Sequence, residues 1–497
     1  MSDELYFLTI AEAAKLLKSK ALSPVELTQA ILSRIDDIDP RLDSYLLVTR
    51  DEALHQAQDA EQEIMAGRWR GPLHGIPYGL KDIIETAGIR TTAHSKVLAN
   101  NIPAEDATVA LRLKQAGAIL LGKHACYEFA NSGPCYDLPW PPARNPWDPA
   151  ISPGGSSSGS GVAVAAGMAM GAVGSDTAGS IRSPASLCGI VGLKPTYGAV
   201  SRYGLIAFAS SLDQAGPLTR DVTDAALLFA SMVGERDPCD STSLEYPGTI
   251  EAPQREDLRG LRLGVPAELT GEGIEPGVLA SFEATLELAR SLGAIVEPCA
   301  LPHAPHALSA YYLIAPAEAS SNLARFDGVR YGHRAEGATD LLTMYTRTRH
   351  DGFGDEVKRR IMLGTYALSS GYYDAYYGRA QRVRTKIAED FASVFERFDA
   401  IVTPTAPGVA FALGSKTADP LAMYLNDYCT VPMSLAGIPA ISIPSGLAAP
   451  PEGGRPLPVG FQLAGPPFSE NALLAAAYAL ERAIGFDGSP AAAEDPA

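Results

Sequence analysis

Residues 152–161 read SPGGSSSGSG, and residues 174–185 read GSDTAGSIRSPA. By composition the first stretch is a flexible linker, since Gly/Ser-rich segments behave as coil. Its setting argues otherwise. It lies between PWPPARNPWDPAI (139–151) and the apolar run VAVAAGMAMGAVG (162–174). A run of small apolar residues reads as a buried helix and a short strand, which would carry Ser156 back towards Ser180. Gly154 and Gly155 permit backbone geometry that residues with side chains resist.

Outward from this centre, strands alternate with helices. HGIPYGLKDII (74–84) leads from a Gly/Pro turn into an apolar strand carrying Lys81. GAILLGK (117–123) reads as a buried strand after a helical VALRLKQAG, and GLRLGVP, GAIVEP, DAIVTP, AISIPS and VGFQLAG as further strands. Helical patterns fill 276–292, 355–396 and 470–484. Such alternation predicts an α/β fold with a large sheet covered on both faces. Thr9–Glu12 and Ser23–Glu26 read as capping boxes, the second with Pro24 at the first helical position. The second helix is expected to stop near Ile38, ahead of Pro40. No internal repeat or linker divides the chain, so 1–486 reads as one domain. Within it, 1–70 is an N-terminal helical segment, 71–200 the catalytic core and 300–395 a helical substrate-side region. Residues 487–497 read as a mobile tail.

The 497 residues carry 40 Lys+Arg against 57 Asp+Glu, a net charge of -17 with no basic block. Direct nucleic-acid binding by this chain is not expected. The start, MSDELYFLTIAEAA, lacks the pattern of a signal peptide, and the longest apolar run (162–173) is too short to span a bilayer. Six cysteines without a C-x-x-C pair make no disulfide framework, and a reducing cytoplasm fits best.

Three other motifs compete for the chemistry. Gly117–Lys123 nearly spells a phosphate loop, but His124 stands where Ser or Thr is needed. Gly155–Gly159 matches the G-x-S-x-G elbow, with Ser157 as nucleophile. That fold needs an acid and then a histidine, and the histidines that follow (303, 306, 333 and 350) all lie far from the chain end. No H-E-x-x-H occurs, and PHAPH (302–306) reads as a loop, so neither metal nor cofactor is expected.

Lys81, Ser156 and Ser180 remain. A serine hydroxyl attacks a carbonyl only once a neighbour takes its proton, and a lysine does so only when desolvation lowers its pKa. Ser157, Ser158, Ser160 and Ser183 read as helix caps. At Asp176-Thr177-Ala178-Gly179-Ser180-Ile181-Arg182-Ser183-Pro184 the chain resembles the amidase signature family. The hallmark of that family is a Gly/Ser-rich segment followed by D-x-[GA]-x-S-[aliphatic]-R-x-P. The resemblance covers nearly the whole chain. It implies the amidase signature fold and a triad with Ser180 as nucleophile, Ser156 bridging in a cis peptide and Lys81 as base. The amides of Thr177, Ala178, Gly179 and Ser180 would bind the oxyanion.

From Thr196 onward the chain is similar to one branch of the family, the A subunits of glutamyl-tRNA(Gln) amidotransferases. SRYGLIAFASSLDQAGPLTRDV (201–222) and DPLAMYLNDYCTVP (419–432) are examples. That resemblance places glutamine-holding residues at Tyr311, Arg360 and Asp427; chemically, arginine suits a carboxylate and aspartate an ammonium. The loop YEFANSGP (127–134) and CYDLPWPPARNPWD (135–148) instead resembles stand-alone amidases, with Tyr136 and Trp140 expected to line a hydrophobic pocket. The leading expectation is a self-sufficient amidohydrolase acting on an aryl amide or a carbamate (urethane) through a Ser180 acyl-enzyme. It needs no partner beyond the small-molecule substrate, and a homodimer stays open. The alternative is a glutaminase A subunit of a glutamyl-tRNA(Gln) or aspartyl-tRNA(Asn) amidotransferase, which requires partner subunits.

Overall fold

The strand-forming runs pair into one eleven-stranded mixed sheet in the order β1-β3-β2-β4-β6-β5-β10-β11-β9-β7-β8. The strands are β1 (Tyr45–Val48), β2 (Pro77–Lys81), β3 (Ile119–His124), β4 (Gly171–Asp176), β5 (Val191–Lys194), β6 (Gln214–Thr219), β7 (Arg262–Pro266), β8 (Ile295–Cys299), β9 (Ala400–Pro404), β10 (Ala440–Ala448) and β11 (Leu457–Ala464). The computed structural model describes residues 5–131, 133, 136–416, 419–488 and 490. Expectations that fall on Ser132, Pro134, Cys135 and most of the tail therefore lie outside the described residues. The fold is α/β, with helices on both faces of the sheet. Among the described residues no helix is long and apolar enough to cross a membrane.

β2 lies between β3 and β4 and is parallel to both, with Tyr78 opposite Leu120 and Gly171. Lys81 and Asp176 thus close the C-terminal ends of two neighbouring parallel strands, where α/β sheets open a crevice. β4 also runs antiparallel to β6, pairing Asp176 with Gln214. β1, β5 and β6 were not expected from the sequence. β6 (QAGPLT) is buried throughout and carries Gly and Pro, so no alternation marks it as a strand.

Two helix expectations are corrected. The second helix runs Pro24–Leu42 with Pro40 inside it, because Pro40 lies in the last turn and only one ladder bond is lost. The Asp39 carboxylate closes that end, accepting from the Ser44 amide at 2.8 Å. The stretch 355–396 is two helices, Asp355–Ala367 and Arg379–Phe395, joined by turns over 368–373 and a single wide helical turn at Asp374–Gly378. The Thr9–Glu12 capping box is present. Ser23 accepts from the amides of Val25 and Glu26, but its hydroxyl turns to Glu61.

Asp224 caps the Ile10–Lys18 helix from outside, accepting from the amides of Ile10 at 2.7 Å and Ala11 at 3.0 Å. Burial lifts the Asp224 carboxyl to about 7, and burial lifts that of Glu481, which accepts from the Val222 amide, to about 8. Raised acids contribute stability in full below their unfolded pKa, and it is lost as pH rises through the folded one. Thermal scans at pH 6.0 and 8.5 should therefore show the wild type losing Tm relative to Glu481→Gln as pH rises, a comparison in which the opposite contribution of the buried Lys81, Lys123 and Lys194 cancels. Glu481→Gln, which keeps an acceptor, should recover on the order of 1–2 kcal/mol of that loss.

Candidate active site

The sequence 158–165, SGSGVAVA, forms a wholly buried helix. A helix rich in glycine sacrifices intrinsic stability of about 1 kcal/mol per glycine relative to alanine. Close packing accounts for it here. A Cβ on Gly159 would lie 2.3 Å from the Ser44 carbonyl, and one on Gly161 would lie 3.1 Å from Pro184. Just before the helix, a Cβ on Gly155 would come within 2.4 Å of the Tyr127 ring, and Gly154 has φ +77° against Pro184. The stretch is a packed corner, and its Gly155–Ser156 peptide is cis.

That corner lays Ser156 on the end of β2. Lys81 Nζ donates to Ser156 Oγ at 2.6 Å and to Ser175 Oγ at 2.9 Å. The lysine is fully buried, and desolvation lowers its pKa to about 8 against the opposing pull of Cys126, Asp176 and Asp213. Asp82, the next residue, points away from Lys81: its carboxylate accepts from the Thr92 amide at 2.9 Å and faces Lys123 at 3.8 Å. Lys123 is thereby accounted for as a buried structural cation, which also donates to Thr91 at 2.8 Å and to the Ile84 carbonyl. Ser175 was not anticipated. Its only sequence signal is its place one residue before Asp176, on a strand adjoining β2.

Ser180 lines a narrow cleft together with Tyr127, Gly154, Gly155, Leu187, Val409, Phe411, Met423, Asn426 and Asp427. The Ser180 hydroxyl makes no hydrogen bond among the described residues, and the amides of Ala178, Gly179 and Ser180 likewise donate to no acceptor among them. Asp176 shapes this turn. Its carboxylate accepts from the Ile181 amide at 3.2 Å and from Arg182 Nε and Nη2, each at 3.0 Å. Arg182 also reaches the Thr430 carbonyl at 3.1 Å, Gln462 at 2.8 Å and Ser434 at 2.9 Å, tying the turn to the C-terminal half of the sheet. Both members of the pair are fully buried, so removing one strands the other. Asp176→Ala should cost about 3–5 kcal/mol in urea unfolding.

The other serines make no capping hydrogen bond, which corrects that expectation for Ser157, Ser158, Ser160 and Ser183. Ser157 Oγ donates to the Ser175 carbonyl at 3.1 Å and accepts from the Ser175 amide at 3.2 Å. Ser158 Oγ reaches the Ala125 carbonyl at 3.5 Å, and Ser160 Oγ lies 3.2 Å from His124. Ser157 is consumed in holding β4, which leaves the elbow without a free hydroxyl. Ser183, at the start of the Arg182–Cys188 helix, accepts no capping bond and lines the cleft.

At the cleft wall Asp427 accepts from Tyr312 at 2.9 Å, and burial raises its carboxyl to about 7 against the pull of that bond and of Arg360. Arg360 is fully buried, its Nε on Glu356 at 2.8 Å and its guanidinium 4.7 Å from the Tyr312 ring and 4.3 Å from that of Tyr424. Its two terminal nitrogens have no hydrogen-bond partner among the described residues. Tyr311 does not line the cleft. It packs edge-on to Tyr312, the residue that meets Asp427, because successive residues on a helix point about 100° apart. Tyr136 and Trp140 do not form the expected hydrophobic pocket. Tyr136 is 48% exposed, and Trp140 lies against His94. The apolar lining comes instead from Leu187, Val409, Phe411 and Met423.

The structure thus places a buried lysine–serine cluster at the strand ends of a mixed α/β sheet. The chain belongs to the Amidase family, whose model matches residues 26–474, and it is an enzyme of the amidohydrolase type. It is 54% identical over 480 residues to the A subunit of glutamyl-tRNA(Gln) amidotransferase from Moorella thermoacetica, covering 96% of this chain and 97% of that one. The similarity therefore spans the N-terminal part as well as the C-terminal part. Among solved structures, the A subunit of glutamyl-tRNA(Gln) amidotransferase from Thermotoga maritima is 40% identical with a TM-score of 0.79, each chain covered over 98%. Peptide amidase from Stenotrophomonas maltophilia is 32% identical with a TM-score of 0.81, over 97% of this chain and 98% of that one.

Proposed function

We propose that this chain is a glutaminase-type amidase subunit that releases ammonia from glutamine. The observation that carries the proposal is Asp427 on the wall of the Ser180 cleft with the fully buried Arg360 close to it, which does not itself line the cleft and whose two terminal nitrogens are unfilled. Two buried guanidinium nitrogens without hydrogen-bond acceptors are a costly arrangement unless a ligand completes them, even with Nε paired to Glu356. An α-carboxylate on Arg360 and an α-ammonium on Asp427 would complete both, leaving the side-chain amide to reach Ser180. The identity with proteins named as the A subunit of glutamyl-tRNA(Gln) amidotransferase supports this reading and, with it, a role alongside partner subunits. A net charge of -17 fits a division of labour in which the partners hold the tRNA. On this account the protein is cytoplasmic.

Neutral Lys81 takes the Ser156 proton as Ser156 takes that of Ser180, and Ser180 Oγ attacks the amide carbon. The carbonyl electron pair moves onto oxygen, where the amides of Ala178, Gly179 and Ser180, with Thr177 at the turn entry, receive the charge. Collapse expels ammonia, with the proton returned from Lys81 through Ser156. Water then attacks the ester carbon and passes a proton through Ser156 to Lys81, and as the C–O bond to Ser180 breaks that proton returns through Ser156 to Ser180 Oγ and glutamate leaves. Because the base must be neutral, kcat/KM should rise as pH rises through about 8.

A second reading rests on Leu187, Val409, Phe411 and Met423, which suit an apolar substrate: a self-sufficient hydrolase of aryl amides or carbamates. A substrate panel on the purified chain, run with and without co-purifying subunits, separates the two. Glutamine-dependent ammonia release supports the glutaminase. Faster cleavage of an anilide or carbamate than of glutamine, with no partner recovered, overturns it.

A further inference from the structure

The β4–β6 register that pairs Asp176 with Gln214 leaves Asp213 beside Thr177, at the entry of the turn that ends on Ser180. Asp213 is 6% exposed. Its carboxylate accepts from Thr177 Oγ1 at 2.8 Å, from the Phe208 amide at 2.9 Å and from the Ala209 amide at 3.0 and 3.1 Å. No lysine or arginine lies within ion-pair distance of it among the described residues. The turn is thus held by an acid at each end: Asp213 grips Thr177 at the entry, and Asp176 receives the Ile181 amide at the exit.

Three groups of acidic type act on Lys81: Cys126, Asp176 and Asp213. Burial lifts the Cys126 thiol to about 12, so it is neutral at pH 8. Asp176 is matched by Arg182 in direct contact. Asp213 faces Arg202 and Tyr197 only at longer range, and burial raises its carboxyl to about 6, which leaves it ionised at pH 8. It is the neighbouring anion of Lys81 without a contacting cation. A buried carboxylate without a counter-ion is costly, and a loop tie alone would be met by a neutral acceptor.

We propose that Asp213 is a positioning residue with two effects: through Thr177 it sets the turn that receives the oxyanion, and through its charge it sets the proton affinity of Lys81. The proposal rests on Lys81 and Ser180 being base and nucleophile, and its test separates the two claims. The probe is a fluorophosphonate, which phosphonylates the attacking serine with loss of fluoride and needs no knowledge of the natural substrate. In the full chain the labelling rate should rise through about pH 8. Asp213→Asn keeps an acceptor for Thr177 and removes the charge, so its limb should move down by about 0.5–1 pH unit. Thr177→Val keeps the charge and cuts the tether, so its rate should fall about tenfold with the limb in place. Wild-type limb and rate in both variants, or an unmoved limb in Asp213→Asn, would overturn the inference. Lys81→Ala and Ser180→Ala are the controls: undiminished labelling in them would refute the base–nucleophile assignment itself.

Discussion

Ser180→Ala should lower kcat for amide hydrolysis by about 10³–10⁶-fold while leaving the fold and its stability intact. The reason is in the geometry. The Ser180 hydroxyl makes no hydrogen bond among the described residues, so its removal breaks no structural contact. Lys81→Ala should cost a comparable factor, because the buried amine on Ser156 is the group that can take up the proton. Ser157→Ala makes the opposite case. Its hydroxyl bridges the backbone of Ser175, so stability should fall while much of the activity stays. Steady-state kinetics alongside urea unfolding of the three variants checks all of these, and equal kcat losses at Ser157 and Ser180 would count against the assignment.

Arg360→Lys should reduce kcat/KM for glutamine by about 10²-fold, because an ammonium cannot reproduce the paired donors that a guanidinium offers a carboxylate. For an amide lacking an α-carboxylate the same substitution should change kcat/KM by less than about threefold, since the interaction removed is absent from that substrate. Measuring both substrates on one preparation cancels any loss of active protein. Equal losses on the two would mean that Arg360 is a structural cation of the Glu356–Tyr424 cluster and no carboxylate receptor.

The core of the site was legible in the sequence because its pieces lie in one long pattern. Asp176, Ser180 and Arg182 sit on a single turn, and the glycines of 154–161 mark a corner where side chains do not fit. The strands after residue 260 were legible as apolar runs, whereas β5 and β6 are short, buried and partly Gly/Pro, and carry no period. What the sequence did not disclose depends on contacts across the sheet. Ser175 becomes a partner of Lys81 only through the β2–β4 pairing, and Asp213 reaches Thr177 only through the β4–β6 register. The exchange of Tyr311 for Tyr312 at Asp427 turns on a helix phase that residue type cannot fix. The hydrophobic lining was sought in the proline-rich 135–148 loop and comes from Leu187, 406–411 and Met423 instead, elements brought over the cleft by tertiary packing.

The central claim is that Ser180, and no other serine of the Gly/Ser-rich corner, attacks the substrate. Labelling the full chain with a fluorophosphonate, digesting it and locating the adduct by mass spectrometry addresses this directly. The account predicts a single adduct on Ser180, absent from Lys81→Ala; an adduct on Ser157 or Ser156, or an undiminished one without Lys81, would contradict it.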